Sequence, residues 1–312
     1  MRRDVEFKSK GDTIRGTLIT PDKGRGPYPT VIMAGGWCYV KEIVMPHYAE
    51  FIVKSGIAVL LFDYRRFGAS EGEPRQHINP WDEIDDYTNA ISFAETQPEV
   101  DKDRIGVWGI SYSGGHVIVI AATDPRVKAV VSNIPVVDGY TNMRRVQGEL
   151  RFQQLVKNIT EDRRKRFANP KDRAYIPMST PDNKEISTWP FPDVYEIFAK
   201  IKKAEAPRHE HFSTLESVEL LLNYNIYPFC ERIYNTPTLM IVAENDEKTL
   251  WDLEIKAYNT IAAANKKLIV LPHVSHMSLY SQKSHLQVAG DAAGEWFARH
   301  LMGAPELAAT HA

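Results

Sequence analysis

The stretch that decides the fold is Arg104-Ile-Gly-Val-Trp-Gly109-Ile110-Ser111-Tyr112-Ser113-Gly114-Gly115-His116. The apolar run that ends at Gly109 is typical of a buried strand, and the apolar run 117–122 that follows is typical of a helix. A serine on a sharp strand-to-helix turn is held exposed above the sheet, beside the helix N-terminus. The residues two before and two after it have to be small, and here they are Gly109 and Ser113. The stretch therefore predicts a nucleophile at Ser111.

Ser113 is an alternative nucleophile, because the same stretch also reads Ser111-x-Ser113-x-Gly115. We favour Ser111 because the predicted strand ends at Gly109, which puts Ser111 at the tip of the turn. Ser113 stands where the usual Gly-x-Ser-x-Gly pattern has its second glycine. Gly114 and Gly115 still allow the helix to approach the strand closely.

The predicted base follows the last predicted strand. A serine hydroxyl is a weak nucleophile and needs a base nearby. In Leu271-Pro-His273-Val-Ser-His276 we choose His276, with His273 as its rival, and the other eight of the ten histidines lie in helices, charged loops or the C-terminal tail. His209 and His211 have the spacing of a metal pair but stand in a charged loop without further ligands, so we expect no metal site.

The predicted acid follows another strand pattern, 238–242, which leads into Ala243-Glu244-Asn245-Asp246-Glu247. An acid has to orient the imidazole, and Asp246 lies where a turn leaving the strand would place it. The resulting chain order of serine, acid and histidine is that of the α/β-hydrolase fold. The other candidates are Asp138, which follows another predicted strand, and the minor rivals Glu244 and Glu247.

Acyl chemistry also needs two preorganised N–H donors for the oxyanion. The Tyr112 N–H comes directly after the nucleophile. The second donor is expected in the loop Gly35-Gly36-Trp37-Cys38, which follows a predicted strand, and there we choose the Trp37 N–H. The rings of Trp37 and Tyr112 are expected to line the pocket.

Short apolar runs bounded by turn residues predict strands that are buried on both faces, as in a parallel sheet. These runs are 30–34, 58–62, 105–108, 129–132, 238–242 and 267–271, and an antiparallel hairpin of 5–8 and 13–20 precedes them. Helical patterns lie between them, as in 81–97, 250–264 and 285–301. We therefore predict an α/β-hydrolase fold with a mostly parallel, eight-stranded sheet.

The middle of the chain is rich in charge and proline and has no pattern of a core strand. Helical runs are predicted at 141–168, 213–224 and near 194–205. We predict that residues 1–138 and 233–312 form the α/β-hydrolase core and that 139–232 form an inserted, largely helical cap. Residues 303–312 have the composition of a loose tail.

Composition excludes several classes of protein. The chain has 312 residues, 43% hydrophobic and 25% charged, with a formal net charge of −2, so it lacks the basic footprint of nucleic-acid or anionic-membrane binding. No stretch reaches the roughly 18 apolar residues that cross a bilayer. The two distant cysteines, Cys38 and Cys230, fit a reducing compartment. With no signal peptide at the N-terminus, we predict a cytoplasmic protein, and its charged helices are compatible with a homodimer.

The quoted motifs resemble a known family. Gly109-Ile-Ser111-Tyr-Ser-Gly114 is similar to the nucleophile turn of the X-prolyl dipeptidyl peptidase, cocaine esterase and dienelactone-hydrolase-like group. Residues 31–42 resemble the oxyanion segment of one branch, usually Ala-His-Gly-Phe-Gly-Gly-Val-Lys-Glu. Gly35 stands in place of the histidine, and Cys38-Tyr39 in place of the glycine pair, so the loop is atypical.

Further similar segments are 62–75, 124–130, 243–246 and 271–280, and together with the helical middle they resemble the polyketide thiohydrolase (polyketide transferase) branch. The resemblance covers nearly the whole chain. It is specific for the fold and the site, and weak for the substrate. Carried over by position, it implies Ser111 as nucleophile, Asp246 as acid and His276 as base.

The predicted function is a serine hydrolase that cleaves a carboxylic ester, lactone or thioester of a small to medium, fairly apolar acyl substrate through an acyl-enzyme. No metal or organic cofactor is expected. Acyl transfer to an alcohol and hydrolysis of a C–C bond in a β-diketone-like substrate stay open as alternatives, and the latter would favour Asp138 as the acid. A peptidase would need an acidic cluster to bind the N-terminal amine of its substrate, and the sequence does not present one. A non-catalytic receptor on the same fold is disfavoured because all three triad positions are filled.

Overall fold

The computed structural model describes residues 1–303, so the predicted tail lies, apart from Gly303, outside the described residues. Within this range the strands are β1 (Arg2–Ser9), β2 (Asp12–Ile19), β3 (Tyr28–Ala34), β4 (Ala58–Phe62), β5 (Val100–Ile110), β6 (Val127–Asn133), β7 (Tyr175–Pro177), β8 (Phe212–Thr214), β9 (Thr238–Ala243) and β10 (Lys266–Leu271). The helices are α1 (Met45–Lys54), α2 (Pro80–Glu95), α3 (Tyr112–Thr123), α4 (Gly139–Gln147), α5 (Glu149–Ala168), α6 (Pro192–Ala204), α7 (Leu215–Leu222), α8 (Tyr227–Cys230), α9 (Trp251–Thr260), α10 (Ser278–Ser281) and α11 (Lys283–Met302).

The main sheet has eight strands in the order β1-β2-β4-β3-β5-β6-β9-β10. β2 is antiparallel to both of its neighbours, β1 and β4, and the remaining neighbours pair in parallel. Every residue of β4 and β9 is buried, which is why these strands appear in the sequence as unbroken apolar runs. The predicted mostly parallel, eight-stranded sheet and its N-terminal hairpin are confirmed.

Helices cover this sheet. α1 packs against α11 and α2 packs against α3, and α11 also contacts β5, β6 and β9. Because β3, β5, β6, β9 and β10 run in the same direction, their carboxyl ends meet at one edge of the sheet. Ligands of open α/β sheets bind at that edge. The loops that leave it carry all the site residues predicted from the sequence.

The middle segment, which we define as residues 139–232, contains α4 to α8 and the two short strands β7 and β8. β7 and β8 pair with each other, apart from the main sheet. The helix predicted at 141–168 is wrong as a single element, because Gly148 has φ 70° and ψ 160° and separates α4 from α5. Its left-handed φ suits glycine and cannot continue an α-helix.

No helix within residues 1–303 combines the length and the apolar character that a membrane-spanning helix requires. The division into a core and a cap, the cytoplasmic location and the homodimer stay predictions.

Candidate active site

The predicted nucleophile, Ser111, lies between β5 and α3. Its backbone has φ 59° and ψ −118°, a conformation that residues other than glycine rarely adopt. Two backbone hydrogen bonds, one to the last residue of β6 and one to the loop after it, hold Ser111 there. The Ser111 N–H donates to the Asn133 oxygen at 2.9 Å, and the Val136 N–H donates to the Ser111 oxygen at 3.0 Å. Strain of this kind persists only where the surrounding structure enforces it, and it is concentrated at functional sites.

The alternative nucleophile, Ser113, is fully buried. Its hydroxyl donates to the Ala34 oxygen at 2.8 Å and accepts from the Ile110 N–H at 2.8 Å. Ser113 therefore ties the turn to the end of β3, and its oxygen faces backbone groups on both sides.

Gly109 determines how tightly the strand turns into the helix. A Cβ added at this position would lie 2.2 Å from the Ser113 oxygen and 2.5 Å from the Ser113 carbonyl carbon. These are backbone atoms, so no side-chain rotation can relieve the clash. The turn therefore requires glycine at this position.

We expect Gly109→Ala to lower the free energy of unfolding by about 3 kcal/mol or more, because overpacking against backbone forces the turn to move. Urea denaturation measures the loss. Gly148→Ala is the control, since it has φ +70° and nothing within 4 Å of an added Cβ. Its cost is limited to the backbone, about 1–3 kcal/mol, because φ 70° with ψ 160° is a conformation nearly exclusive to glycine. Equal losses in the two variants would mean that the close approach at Gly109 is unimportant.

Asp246 and His276 form a hydrogen-bonded pair. His276 Nδ1 donates to Asp246 Oδ2 at 2.7 Å, and Asp246 Oδ1 accepts from the N–H groups of Lys248 at 2.8 Å and Thr249 at 3.1 Å. Burial alone would raise the pKa of Asp246, but the charge and hydrogen bond of His276 and the backbone N–H groups outweigh it, so that the pKa lies below its usual value. The carboxylate is therefore ionised, and it holds the imidazole with Nε2 free of this interaction.

The other candidate acids have different partners. Asp138 caps α4, where it accepts from the N–H and the hydroxyl of Thr141 at 3.2 and 2.8 Å. Glu244 accepts from the N–H of His273, the rival base, at 3.0 Å, and Glu247 accepts from the ammonium group of the residue that follows it at 2.7 Å. Each of these carboxylates is thus held by a group other than His276.

Ser111 and His276 line the same pocket. The space open to the centre of a water molecule is about 20 Å³, so the pocket is a narrow slot. The residues that line it are mainly apolar and aromatic, and four of them belong to the middle segment. The lining residues are Trp37, Tyr39, Ser111, Met178, Trp189, Val194, Phe198, Lys248, Thr249, His276, Met277 and Tyr280.

The loop with the predicted oxyanion donor packs against the nucleophile turn. A Cβ added at Gly36 would lie 3.1 Å from Ser111 Cβ and 3.4 Å from the Tyr112 nitrogen. Tyr112 begins α3, and the first N–H groups of a helix have no acceptor within it. The Trp37 ring lines the pocket as expected. Tyr112 does not line the pocket; it is fully buried, and its ring packs edge-on against the Trp37 ring, with ring centroids 5.2 Å apart.

Lys248 links the loop that contains the predicted acid, Asp246, to the middle segment. Its ammonium lies 2.9 Å from Asp193 Oδ2 in α6 and 2.7 Å from Glu247 Oε1. It also lies 4.5 Å from the centroid of the Phe191 ring, which is within cation–π range. The one cation in the pocket wall is thus already paired among the described residues.

Residues 10–277 match the family model of the X-Pro dipeptidyl-peptidases (S15 family). The chain belongs to this S15 family. The match covers most of the sequence and includes the loops of Ser111, Asp246 and His276. The chain is therefore a member of a hydrolase family.

Several known proteins are similar to this S15 chain. It is 43% identical to a thiohydrolase of Aspergillus aculeatus, over 43% of this chain and 42% of that relative, so less than half of the relative's length is matched. It is 28% identical to a polyketide transferase of Aspergillus fumigatus over 96% of both chains. The crystal structure of the α/β-hydrolase GrgF from a Penicillium species is similar, with a TM-score of 0.80 and 24% identity, covering 97% of this chain and 99% of that one. The predicted α/β-hydrolase fold and the predicted family resemblance are both confirmed.

Sequence reasoning missed two residues beside His276 in this S15 chain. Thr249 Oγ1 lies 3.3 Å from His276 Nδ1 and donates to Glu254 Oε1 at 2.7 Å. Glu254 is fully buried, and burial, followed by the charge of Asp246, raises its pKa well above the usual value. Burial therefore favours the neutral form of this carboxyl group. Glu254 lies in the first turn of α9, where an acidic residue is ordinary, so the sequence carries no signal for this role.

We expect Glu254→Gln to become more stable relative to the wild type as the pH rises. A carboxyl whose folded pKa is raised stabilises the fold below its unfolded pKa, near 4.5, and this stabilisation is lost as the pH rises through the folded pKa. Glutamine keeps the acceptor for Thr249 and does not ionise. Urea denaturation at pH 5 and pH 8 tests this, with Glu247→Gln on an exposed side chain as the control. A difference that moves the other way would mean that Glu254 is ionised in the folded protein.

Proposed function

We propose that this S15 chain is a serine hydrolase that cleaves a carboxylic ester, lactone or thioester through an acyl-enzyme on Ser111. The observation that carries the proposal is the 2.7 Å hydrogen bond between Asp246 and His276 in the wall of the pocket that Ser111 also lines. A serine, an imidazole and a buried carboxylate in this arrangement form the minimal set for acyl transfer through a serine.

In the proposed acylation, Ser111 Oγ attacks the carbonyl carbon while His276 Nε2 takes the hydroxyl proton. The carbonyl electron pair moves to the oxygen, which accepts hydrogen bonds from the Trp37 and Tyr112 N–H groups. When the tetrahedral intermediate collapses, the bond to the alcohol or thiol breaks, and His276 gives the proton to the leaving group. Water then repeats the sequence on the acyl-enzyme, releasing the acid and restoring Ser111. Asp246 stabilises the imidazolium in both steps.

The lining of the pocket supports an uncharged, apolar acyl group. Its walls are aromatic and aliphatic, and its one cation, Lys248, is already paired. Among the described residues that line the pocket, none carries a carboxylate. An N-terminal ammonium group of a peptide would find no counter-charge there, which favours an ester or thioester over a peptide.

The middle segment is proposed to act as a cap. Met178, Trp189, Val194 and Phe198 belong to it, and they close the pocket opposite the loops of the sheet. Because the space open to the centre of a water molecule is only about 20 Å³, we propose that these walls move apart when a substrate enters. The contact of Lys248 with Asp193 fixes the closed position.

A second candidate is acyl transfer to an alcohol. It is favoured by the narrow, apolar pocket, which leaves little room for water beside an acyl-enzyme, and by the similarity to a polyketide transferase. C–C bond hydrolysis is not proposed, because it would favour Asp138 as the acid, and that carboxylate caps α4.

The test is turnover of p-nitrophenyl esters from acetate to decanoate and of matched thioesters, each with and without butanol. The highest turnover is expected with the short acyl chains, because the pocket is narrow. Formation of the butyl ester identifies transfer, and formation of the acid identifies hydrolysis. Mass spectrometry after a fluorophosphonate is expected to find the adduct on Ser111. Absence of turnover on every ester and thioester would contradict the proposed function.

A further inference from the structure

A chain of hydrogen bonds joins the middle segment to the loop of residues 35–38, which holds the predicted oxyanion donor Trp37. Ser179 Oγ lies 2.7 Å from His211 Nε2, His211 Nδ1 lies 3.1 Å from His209 Nε2, and His209 Nδ1 lies 3.0 Å from the Cys38 carbonyl oxygen. Ser179, His209 and His211 belong to the middle segment, whereas Cys38 directly follows Trp37. His209 and His211 are the pair whose spacing suggested metal ligands. Each of their four ring nitrogens instead has a hydrogen-bond partner in this series.

The direction of every proton in this chain follows from its last member. A carbonyl oxygen only accepts, so His209 Nδ1 carries the hydrogen. The ring is neutral, because burial, followed by the charge of His211, lowers the pKa of His209 to about 3. His209 Nε2 is then an acceptor, His211 Nδ1 carries a hydrogen, and His211 Nε2 accepts the hydroxyl proton of Ser179. Burial lowers the pKa of His211 to about 4, so it is neutral too.

The chain does not form a second nucleophilic site. Ser179 is 2% exposed, so a substrate does not reach its hydroxyl. Its hydroxyl instead donates to His211 Nε2 and completes the chain, whose tautomers are set from the other end by the Cys38 carbonyl oxygen. The functional effect of this hydrogen-bond chain is therefore expected at its other end, on the Cys38 carbonyl oxygen.

Cys38 has a strained backbone conformation, which hydrogen bonds from the middle segment stabilise. Its φ of 60° lies in the left-handed region, which costs a residue with a side chain roughly 1–2 kcal/mol. It occupies one of the two positions where similar loops have glycine. Besides the bond from His209 to its carbonyl oxygen, its thiol donates to the Phe212 oxygen at 3.4 Å. The segment around residues 209–212 thus holds both the backbone and the side chain of Cys38.

We propose that His209 is a positioning residue, which holds the Cys38 carbonyl and thereby sets the Trp37 N–H for the oxyanion when the middle segment is seated on the core. The role of the Trp37 N–H rests on the proposed function. The oxyanion site is then complete only in the closed protein, so closure of the cap and readiness for chemistry are coupled through one hydrogen bond.

A matched pair of variants at this position tests the proposal. The amide nitrogen of asparagine stands where Nδ1 of histidine stands, so His209→Asn keeps a donor for the Cys38 oxygen. The amide of His209→Gln reaches the position of Nε2 instead and leaves that oxygen unpaired. We expect kcat on the best ester to fall about 10- to 100-fold in the glutamine variant with KM nearly unchanged, since small misplacements of catalytic groups have effects of this size. The asparagine variant is expected to stay within about threefold of the wild type.

Nuclear magnetic resonance provides readouts that do not depend on activity. In the wild type, the ¹⁵N shifts are expected to show both His209 and His211 with hydrogen on Nδ1 and none on Nε2. The Trp37 amide resonance is expected to move in His209→Gln and to stay in His209→Asn. Hydrogen on Nε2 of either ring, or equal movement in the two variants, would overturn the proposal, as would an equal kcat in both.

The failure of the proposed function would look different. A wild type that turns over no ester or thioester would remove the proposed role of Ser111, while the tautomers and the Trp37 resonance would still decide whether His209 holds the loop. Thermal unfolding of both variants separates loss of the loop contact from loss of the fold. If His209→Gln does not fold, the wild-type tautomers and the asparagine variant still decide the outcome.

Discussion

Replacing Ser111 by alanine is expected to lower kcat/KM for the best ester by about 10³-fold or more. The substitution removes the oxygen that is proposed to form the acyl bond and leaves the rest of the pocket in place. The fold is expected to persist, because the hydrogen bonds that hold this turn run through the Ser111 backbone. The residual rate comes from binding and the oxyanion donors. The assay is steady-state hydrolysis at a temperature where circular dichroism shows both proteins folded.

Ser113→Ala is the matched control. Here the loss is structural, because the Ala34 oxygen loses a donor and the Ile110 N–H loses an acceptor in a fully buried place. We expect the free energy of unfolding to fall by about 1–3 kcal/mol, with kcat/KM of the folded protein much closer to that of the wild type. If Ser113→Ala were inactive while folded and Ser111→Ala were active, Ser113 would be the nucleophile.

Asp246→Asn is expected to lower kcat by about 10³- to 10⁴-fold. In the wild type, one carboxylate oxygen accepts from the N–H groups of Lys248 and Thr249 and the other accepts from His276. In the variant, the amide oxygen takes the backbone donors, so the NH₂ group faces His276 Nδ1. That nitrogen must then accept, which puts the hydrogen on Nε2, where a base for Ser111 has to be free. Burst kinetics that separate acylation from release are the measurement.

Asp138→Asn is the control for the acid. Asparagine caps helices about as well as aspartate, so α4 and the activity are expected to be nearly unchanged. The two variants make the same chemical change in the two loops from which the sequence offered an acid. Loss of activity in Asp138→Asn with retention in Asp246→Asn would reverse the assignment and bring the C–C hydrolase back into consideration.

Buried parallel strands could be predicted from the sequence because burial on both faces leaves a run of apolar residues. Ala58–Phe62 coincides with β4, and the run 238–242 falls one residue short of β9. The break at Gly148 was missed, because a helical pattern continues on both sides of one glycine. β7 and β8 were missed as well, since three residues are too few to show an alternation.

The predicted site residues could be chosen from the sequence because each follows a predicted strand and they occur in the chain order of the fold. Contacts between distant segments leave no such pattern. Thr249 and Glu254 approach His276 only after folding, and nothing in the helix pattern of α9 singles out Glu254. His209 stood out as part of a histidine pair, but its partner, Cys38, lies 171 positions earlier in the chain.

The narrow slot above Ser111 also affects the rates of binding. If the middle segment acts as the proposed cap, its four side chains in the pocket wall and the ion pair of Lys248 with Asp193 have to part before a ligand enters or leaves. Association is then set by how often the protein opens, and dissociation is slowed by the same barrier. An inhibitor of modest affinity would accordingly have a long residence time, and dissolved salt would act on its entry more than on the bond-breaking step.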